Sequence, residues 1–153
     1  MPIIRRDRAL TAITIMLQIA FRAGRASTVS AADLAETLGL ARRGMEPLLQ
    51  ALSRAGLLES ARGPRGGYRL ARPPRDIRLS AIVAVLAPDE DEAAQAAAGP
   101  GGELRRLVID PLWGELDAAV GRKLETLTLD DLLRRAVAAG LRRPPAEPIT
   151  YAI

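Results

Sequence analysis

The stretch Arg62–Leu70, RGPRGGYRL, places three arginines, three glycines and one proline within nine residues. GLLESA (56–61) precedes it, and it runs on into GYRLA (67–71). Both are short strand-like runs, and RGPRG (62–66) between them reads as the loop of a β-hairpin. The glycines let the backbone turn and come close to a partner, while Pro64 narrows the loop's freedom. Arg62, Gly63, Pro64 and Arg65 thereby form a basic tip on a short stem. A surface hairpin with solvated arginines has the same composition, so the neighbours decide its meaning.

Upstream, Ser30 is a good helix N-cap, with Asp33 in the spacing of a capping box. It opens AADLAETL, which Gly39 stops. After a brief turn Met45, Leu48, Leu49 and Leu52 recur at helical spacing as a buried stripe, and Arg43, Glu46, Gln50 and Arg54 fall on the opposite face. Gly56 closes this helix. Two helices joined by a short Gly-containing turn make a helix-turn-helix, whose second member can lie in a DNA major groove. Any small helical bundle contains such pairs, but a basic hairpin directly behind one makes a winged helix. In that frame Arg62 and Arg65 are placed to reach phosphates or a narrow minor groove. The opening helix is predicted from Asp7 to Ala23. Its apolar Leu10, Ile13, Ile15, Met16, Leu17 and Ile19 spread around much of the cylinder, the pattern of a helix buried between two layers.

Downstream of the RPPR break (72–75), IRLSAIVAVLA (77–87) predicts a short helix that closes the domain. PDEDEAAQAAAGPGG follows as a linker, its acidic run at 89–92 reading as a solvated loop rather than a carboxylate site. Asp110–Pro111 reads as a helix start, an N-cap followed by proline at the first position. Glu103 to Val108 is either a separate helical turn or an extension bent at Pro111. Leu112, Leu116, Val120, Leu124 and Leu127 then line one side, with Trp113 nearby. Thr128 and Asp131 form a second capping pair, opening LDDLLRRAVAA, which Gly140 closes. The stripe needs a cover: the over-apolar first helix offers part of one and a second copy of the chain the rest, although an intramolecular bundle would also serve. The proline-rich end, LRRPPAEPITYAI, reads as an extended tail.

Composition narrows the function. At 153 residues and 48% hydrophobic the chain can bury a core and form one or two small domains. It has no run of about twenty apolar residues to span a membrane. Its start, MPIIRRDRAL, lacks the features of a signal peptide, so a soluble cytoplasmic protein is expected. There is no cysteine and no histidine. That removes disulfides, thiolate and imidazole metal sites, cysteine-ligated clusters and histidine acid–base chemistry. GPGG at 99–102 is too short and poorly placed to hold a nucleotide. No enzyme and no cofactor are expected. Charge is uneven: Met1–Arg78 carries a net +8 and Leu79–Ile153 a net −4, together the overall +4. Such asymmetry suggests that the N-terminal half meets an anion.

In this order the elements resemble the Rrf-two family of bacterial winged-helix transcription regulators. The resemblance covers nearly the whole chain and is strongest in DLAETLGL, LLQALSRAGLLESARGPRGGYRLARPPRDIRL and PLWGELDAAVGRKLETLTLDDLL. Family members typically carry RGxxGGYxLAR at the wing. The resemblance implies a homodimer, each subunit having an N-terminal winged helix and a long C-terminal helix that crosses its mate, on a near-palindromic operator. It puts Arg42, Arg43, Glu46 and Pro47 where the recognition helix meets bases, and Arg62 to Arg65 where the wing meets the minor groove.

Three departures stand out. Many members hold an iron–sulfur cluster on three linker cysteines, roughly where this chain reads Glu92 to Leu107, and this chain has none. It looks like the cluster-free branch. The recognition helix opens ARRGMEP where the family commonly has SxSYLEQ, and Pro47 predicts a helix that either starts late, near Gly44, or is distorted. Arg78 stands where relatives often have a capping Thr or Ser.

The expectation is a mainly α fold with a small β-wing: a winged helix-turn-helix at 1–86, a linker at 87–101, dimerisation helices at 102–140 and a tail at 141–153. The function expected is a homodimeric, sequence-specific DNA-binding regulator, a repressor, that does not sense through an iron–sulfur cluster. Arg42, Arg43, Glu46, Gln50, Arg62, Gly63, Pro64 and Arg65 would meet DNA. Leu112, Trp113, Leu116, Val120 and Leu124 would meet the second copy. A small-molecule effector near Trp113, or a protein partner, would supply the signal. The competing reading is a winged-helix docking module with little specific DNA binding.

Overall fold

The computed structural model describes residues 3–23, 25–86 and 99–144. In chain order these form α1 (Ile3–Arg22), α2 (Ala31–Leu38), α3 (Arg42–Arg54), β1 (Leu58–Ala61), β2 (Gly67–Leu70), a 3-10 turn (Pro74–Asp76) and α4 (Leu79–Ala84). A composite helix α5 follows, built from Gly102–Leu104, a π-helical turn Arg105–Ile109 and Asp110–Thr126, and then α6 (Leu129–Ala138). The acidic run at 89–92, most of the expected linker and most of the expected tail lie outside the described residues.

One hydrophobic core organises these elements, with α1 through its centre. Ala12, Ile15, Met16 and Ile19 of α1 are wholly buried, and the helix packs against α2, β2, α4 and α6. That accounts for apolar residues on more than one side of it. It starts four residues before the predicted Asp7. Leu34 of α2 and Met45, Leu49 and Leu52 of α3 close the core from the helix-turn-helix side, and Ile77, Leu79 and Ile82 from the other.

Both capping pairs form. The Ser30 side chain accepts from the Asp33 amide at 3.1 Å, and Gly39 ends α2 at φ 63°. Thr128 and Asp131 make a full capping box on α6. Burial there sets more than a helix start, because Leu129 and Leu133 enter the same core as α1. The junction is stapled by backbone bonds from the Leu79 amide to the Leu127 carbonyl (2.9 Å) and from the Leu129 amide to the Ile77 carbonyl (2.8 Å). Arg78 does not cap α4; its guanidinium donates to the Glu125 carbonyl at 2.6 Å and ties the end of α5 to the winged unit.

Two further helix starts bear on readings the sequence offered. α3 begins at Arg42, not near Gly44, so Pro47 is its sixth residue. A proline there cannot donate to the Arg43 carbonyl, and its ring crowds that same carbonyl. The helix persists because Met45, Leu49 and Leu52 fasten its inner face to the core on both sides of the proline. Asp110 does not start a helix. It is helical itself (φ −63°, ψ −41°), and its amide bonds back to the Arg105 carbonyl in the i→i+5 pattern of a π turn. Pro111 thus sits in a continuous helix just after that turn, and of the two readings of Glu103–Val108 the extension is the one found.

Candidate nucleic-acid interface

β1 and β2 pair antiparallel with Leu58 opposite Leu70 and Ala61 opposite Gly67. Leu58 and Leu70 are buried and root the hairpin in the core, while Glu59 and Arg69 make a cross-strand ion pair at 3.0 Å. The tip closes as a four-residue turn in which the Gly66 amide donates to the Gly63 carbonyl at 2.8 Å, with Pro64 second in the turn, where its fixed φ fits. Gly63 is at φ 106°, open to glycine and strained for other residues. A Cβ on Gly66 would fall 2.6 Å from the Ala61 carbonyl oxygen, so that glycine is a packing requirement. Arg62, Gly63, Pro64 and Arg65 are all exposed; Arg62 directly precedes the turn and Arg65 is its third residue.

The stem is also bound on its far side. Val29, in the loop between α1 and α2, exchanges backbone hydrogen bonds with Tyr68 at 2.8 and 2.9 Å, an isolated antiparallel bridge. This bridge was not visible in the sequence, where only a β-branched residue ahead of a cap marks it.

On α3, Arg42, Arg43, Glu46, Gln50 and Arg54 are exposed while Met45 and Leu49 face inward, the division the sequence predicts. Arg42 and Glu46 are joined one turn apart, Nε to Oε1 at 3.1 Å. At an exposed site such a pair is worth only about a few tenths of a kcal/mol, so either group is readily diverted to another partner. The first turn of α3 carries two arginines, no acidic residue and no side-chain cap. Its amides and guanidinium groups together favour an anion there.

The expected contact residues of the C-terminal half lie on α5. Leu112, Trp113, Leu116 and Val120 are between 42% and 49% exposed, a large apolar display for one chain. Leu124 differs, being partly buried against the chain's own core. Leu104, Leu107, Val108 and Ile109 extend the display toward the start of α5, which the sequence reading did not foresee. In an unbroken α-helix Leu104 would sit about 80° around the axis from Leu112. The π turn holds more residues per revolution and reduces that offset, bringing Leu104 and Val108 toward the line of Leu112.

A cavity of about 180 Å³ lies between α1, α3 and the residues that follow α4, lined by residues including Arg8, Thr11, Pro47 and Leu86. Trp113 lines neither this cavity nor a more open one beside Leu10. Among the described residues no His, Cys, Asp or Glu side chains gather in threes to hold a metal ion. No helix among them is long and apolar enough to cross a membrane.

Comparison with known proteins agrees with this geometry. Residues 6–135 match the family profile described as Rrf2, iron-dependent transcriptional regulator. The chain is 35% identical over 127 residues to the HTH-type transcriptional regulator IscR of Vibrio atlanticus (strain LGP32), covering 80% of this chain and 70% of that protein. It is 34% identical over 125 residues to protein rrf2 of Nitratidesulfovibrio vulgaris, covering 80% and 81%. Among solved structures, T. potens IscR superposes with a TM-score of 0.64 at 29% identity over 92% of this chain and 90% of that one. CymR, the global cysteine regulator of B. subtilis, gives 0.62 at 29% identity over 83% and 93%. A cysteine-ligated iron–sulfur cluster does not fit the residues present, since a chain without cysteine has no thiolate to hold one. The chain nevertheless belongs, by sequence and by fold, to the Rrf2 family of winged-helix transcriptional regulators.

Proposed function

We propose that this regulator is a homodimeric, sequence-specific DNA-binding repressor whose signal does not pass through a cysteine-ligated cluster. The observation that carries the reading is the wing: a closed turn presenting Arg62 and Arg65, rooted by buried Leu58 and Leu70 beside a recognition helix with an exposed polar face. On α3, arginine favours guanine, Gln50 adenine, and Glu46 accepts from cytosine in the major groove, while the wing arginines suit a narrow minor groove. The apolar display on α5 supports the dimer, and two recognition helices related by a two-fold axis imply a near-palindromic operator. Winged unit, linker, α5 with α6, and tail keep the boundaries 86, 101 and 140 in this reading.

The test is selection from fragmented genomic DNA by the purified, metal-free protein at moderate salt. Recovery of a few fragments sharing an inverted repeat, whose downstream transcripts rise when the gene is deleted, is the expected result. Retention no better than bulk DNA overturns it. If the dimer neutralises about six to ten phosphates, affinity for a recovered fragment falls by roughly 10³–10⁵ between 50 and 200 mM salt.

A further inference from the structure

The wing is hooked to the body of the protein at its tip as well as its stem. The Thr28 hydroxyl donates to the backbone carbonyl of Arg65 at 2.7 Å, reaching from the loop before α2 to the turn that carries the wing arginines. Next to it in sequence, Val29 clasps Tyr68 through two backbone bonds, so residues 28 and 29 grip the hairpin at two levels. Gly67 fits under this clasp because a Cβ there would collide with the Val29 carbonyl. The Gly63–Gly66 bond gives the turn its shape, but it acts within the turn and does not fix where the turn points. The Thr28 bond connects the tip to the helix-turn-helix, two residues before the Ser30 cap that starts α2.

We infer that Thr28 is a positioning residue for DNA recognition: its hydroxyl sets the wing tip relative to α2 and α3, so that Arg62 and Arg65 meet the groove already aligned. The inference rests on the reading of the wing as a DNA contact. A tip that is ordered before binding does not pay its ordering entropy on the DNA. Thr28 itself touches no base; its effect passes through the two arginines.

The test compares Thr28→Val, which keeps the shape and removes the hydroxyl, with Thr28→Ser, which keeps the hydroxyl. In free protein, trypsin should cut after Arg62 and Arg65 faster in Thr28→Val than in wild type, and at the wild-type rate in Thr28→Ser. On a duplex recovered by the selection above, Thr28→Val should bind about 2- to 10-fold more weakly, the worth of one hydrogen bond, with Thr28→Ser near wild type. In an Arg62→Ala, Arg65→Ala background the same change should have no further effect, which a general loss of stability would not reproduce. Wild-type cleavage and binding in Thr28→Val overturn the inference, as does a Thr28→Ser variant no better than Thr28→Val. If wild type selects no fragment, the DNA-binding reading fails, and unchanged trypsin cleavage in Thr28→Val still overturns the hook by itself.

Discussion

Leu133 and Leu116 lie on consecutive helices and should fail in opposite ways. Leu133 on α6 is 2% exposed in the core with α1, whereas Leu116 on α5 is 47% exposed in the single chain. Truncating a fully buried leucine removes its transfer free energy and leaves a cavity, about 2.7–5 kcal/mol in sum. For a chain of this length each kcal/mol is about 2–4 °C of melting temperature, so Leu133→Ala should melt roughly 5–20 °C lower. Within one chain, Leu116→Asp changes an exposed site and should cost within about 0.5 kcal/mol. In a dimer sealed by α5, two such carboxylates enter an apolar seam, and the dissociation constant should rise at least about 100-fold. Circular dichroism melts and sedimentation velocity over a hundredfold range of concentration read both quantities. Leu133→Ala should be destabilised yet dimeric; Leu116→Asp should be folded yet monomeric. A Leu133→Ala chain melting with wild type would refute the placement of α6 in the core. A Leu116→Asp chain sedimenting as a dimer throughout would refute the α5 interface.

Three other outcomes follow from the same geometry. Arg62→Ala should weaken operator binding and lower the slope of log affinity against log salt by about two, as loss of one phosphate-contacting cation from each subunit of the dimer requires; titration by fluorescence anisotropy reads it, and unchanged affinity would remove the wing from the interface. Pro47→Ala should stabilise α3, because a donor returns to the Arg43 carbonyl and the ring clash disappears; proline costs up to about 3 kcal/mol in a helix interior, so an urea midpoint no higher than wild type would mean the helix has another way of accommodating it. For pH, the Thr128 amide and hydroxyl, with lesser help from Arg134, hold the Asp131 carboxyl below its usual value against the opposing effect of burial. Its folded value lies below its unfolded one, so its contribution is complete above about pH 4 and is lost as pH falls through the folded value. Asp131→Asn should therefore flatten the acid limb of the stability curve, and an identical limb in the two proteins would show that the box does not govern it.

Much of this was legible in the chain because the signals were local. A serine or threonine three residues before an aspartate specifies a cap by hydrogen bonding alone, and both caps formed where the sequence put them. The wing was equally plain, since Pro64 and the glycines around it allow few turns other than the one found. Signals that are local in form but tertiary in resolution misled. Asp110–Pro111 has the chemistry of a helix start, yet a π turn lets a helix run through it, and nothing in the dipeptide separates the two. Pro47 left open a late start for α3 or a distortion within it; the late start is not found, because three buried side chains outweigh one missing bond. The stripe on α5 and α6 showed periodicity without showing which surface it meets. Leu129 and Leu133 go into the chain's own core, Leu124 partly so, and Leu112, Leu116 and Val120 remain outside. Thr28 left no sequence signal, since its partner is a backbone carbonyl 37 residues away.

The division of α5 between an anchored end and an apolar free end has a consequence for DNA spacing. Its C-terminal end is fixed to the winged unit by the Arg78–Glu125 bond, by the Leu79–Leu127 bond, and by α6 behind it in the core. Its remaining length, from Leu104 to Val120, carries apolar side chains on the outside over about 24 Å. A helix clamped at one end cannot swing to suit a partner without pulling on α1 and α4. Two copies seated along these displays would therefore hold their winged units at a separation set by the core of each chain, not by the linker. Half-site spacing on DNA then becomes a property of packing: a half-turn change in the distance between repeats should abolish binding, because the anchored end of α5 resists the rotation that would be needed to follow it.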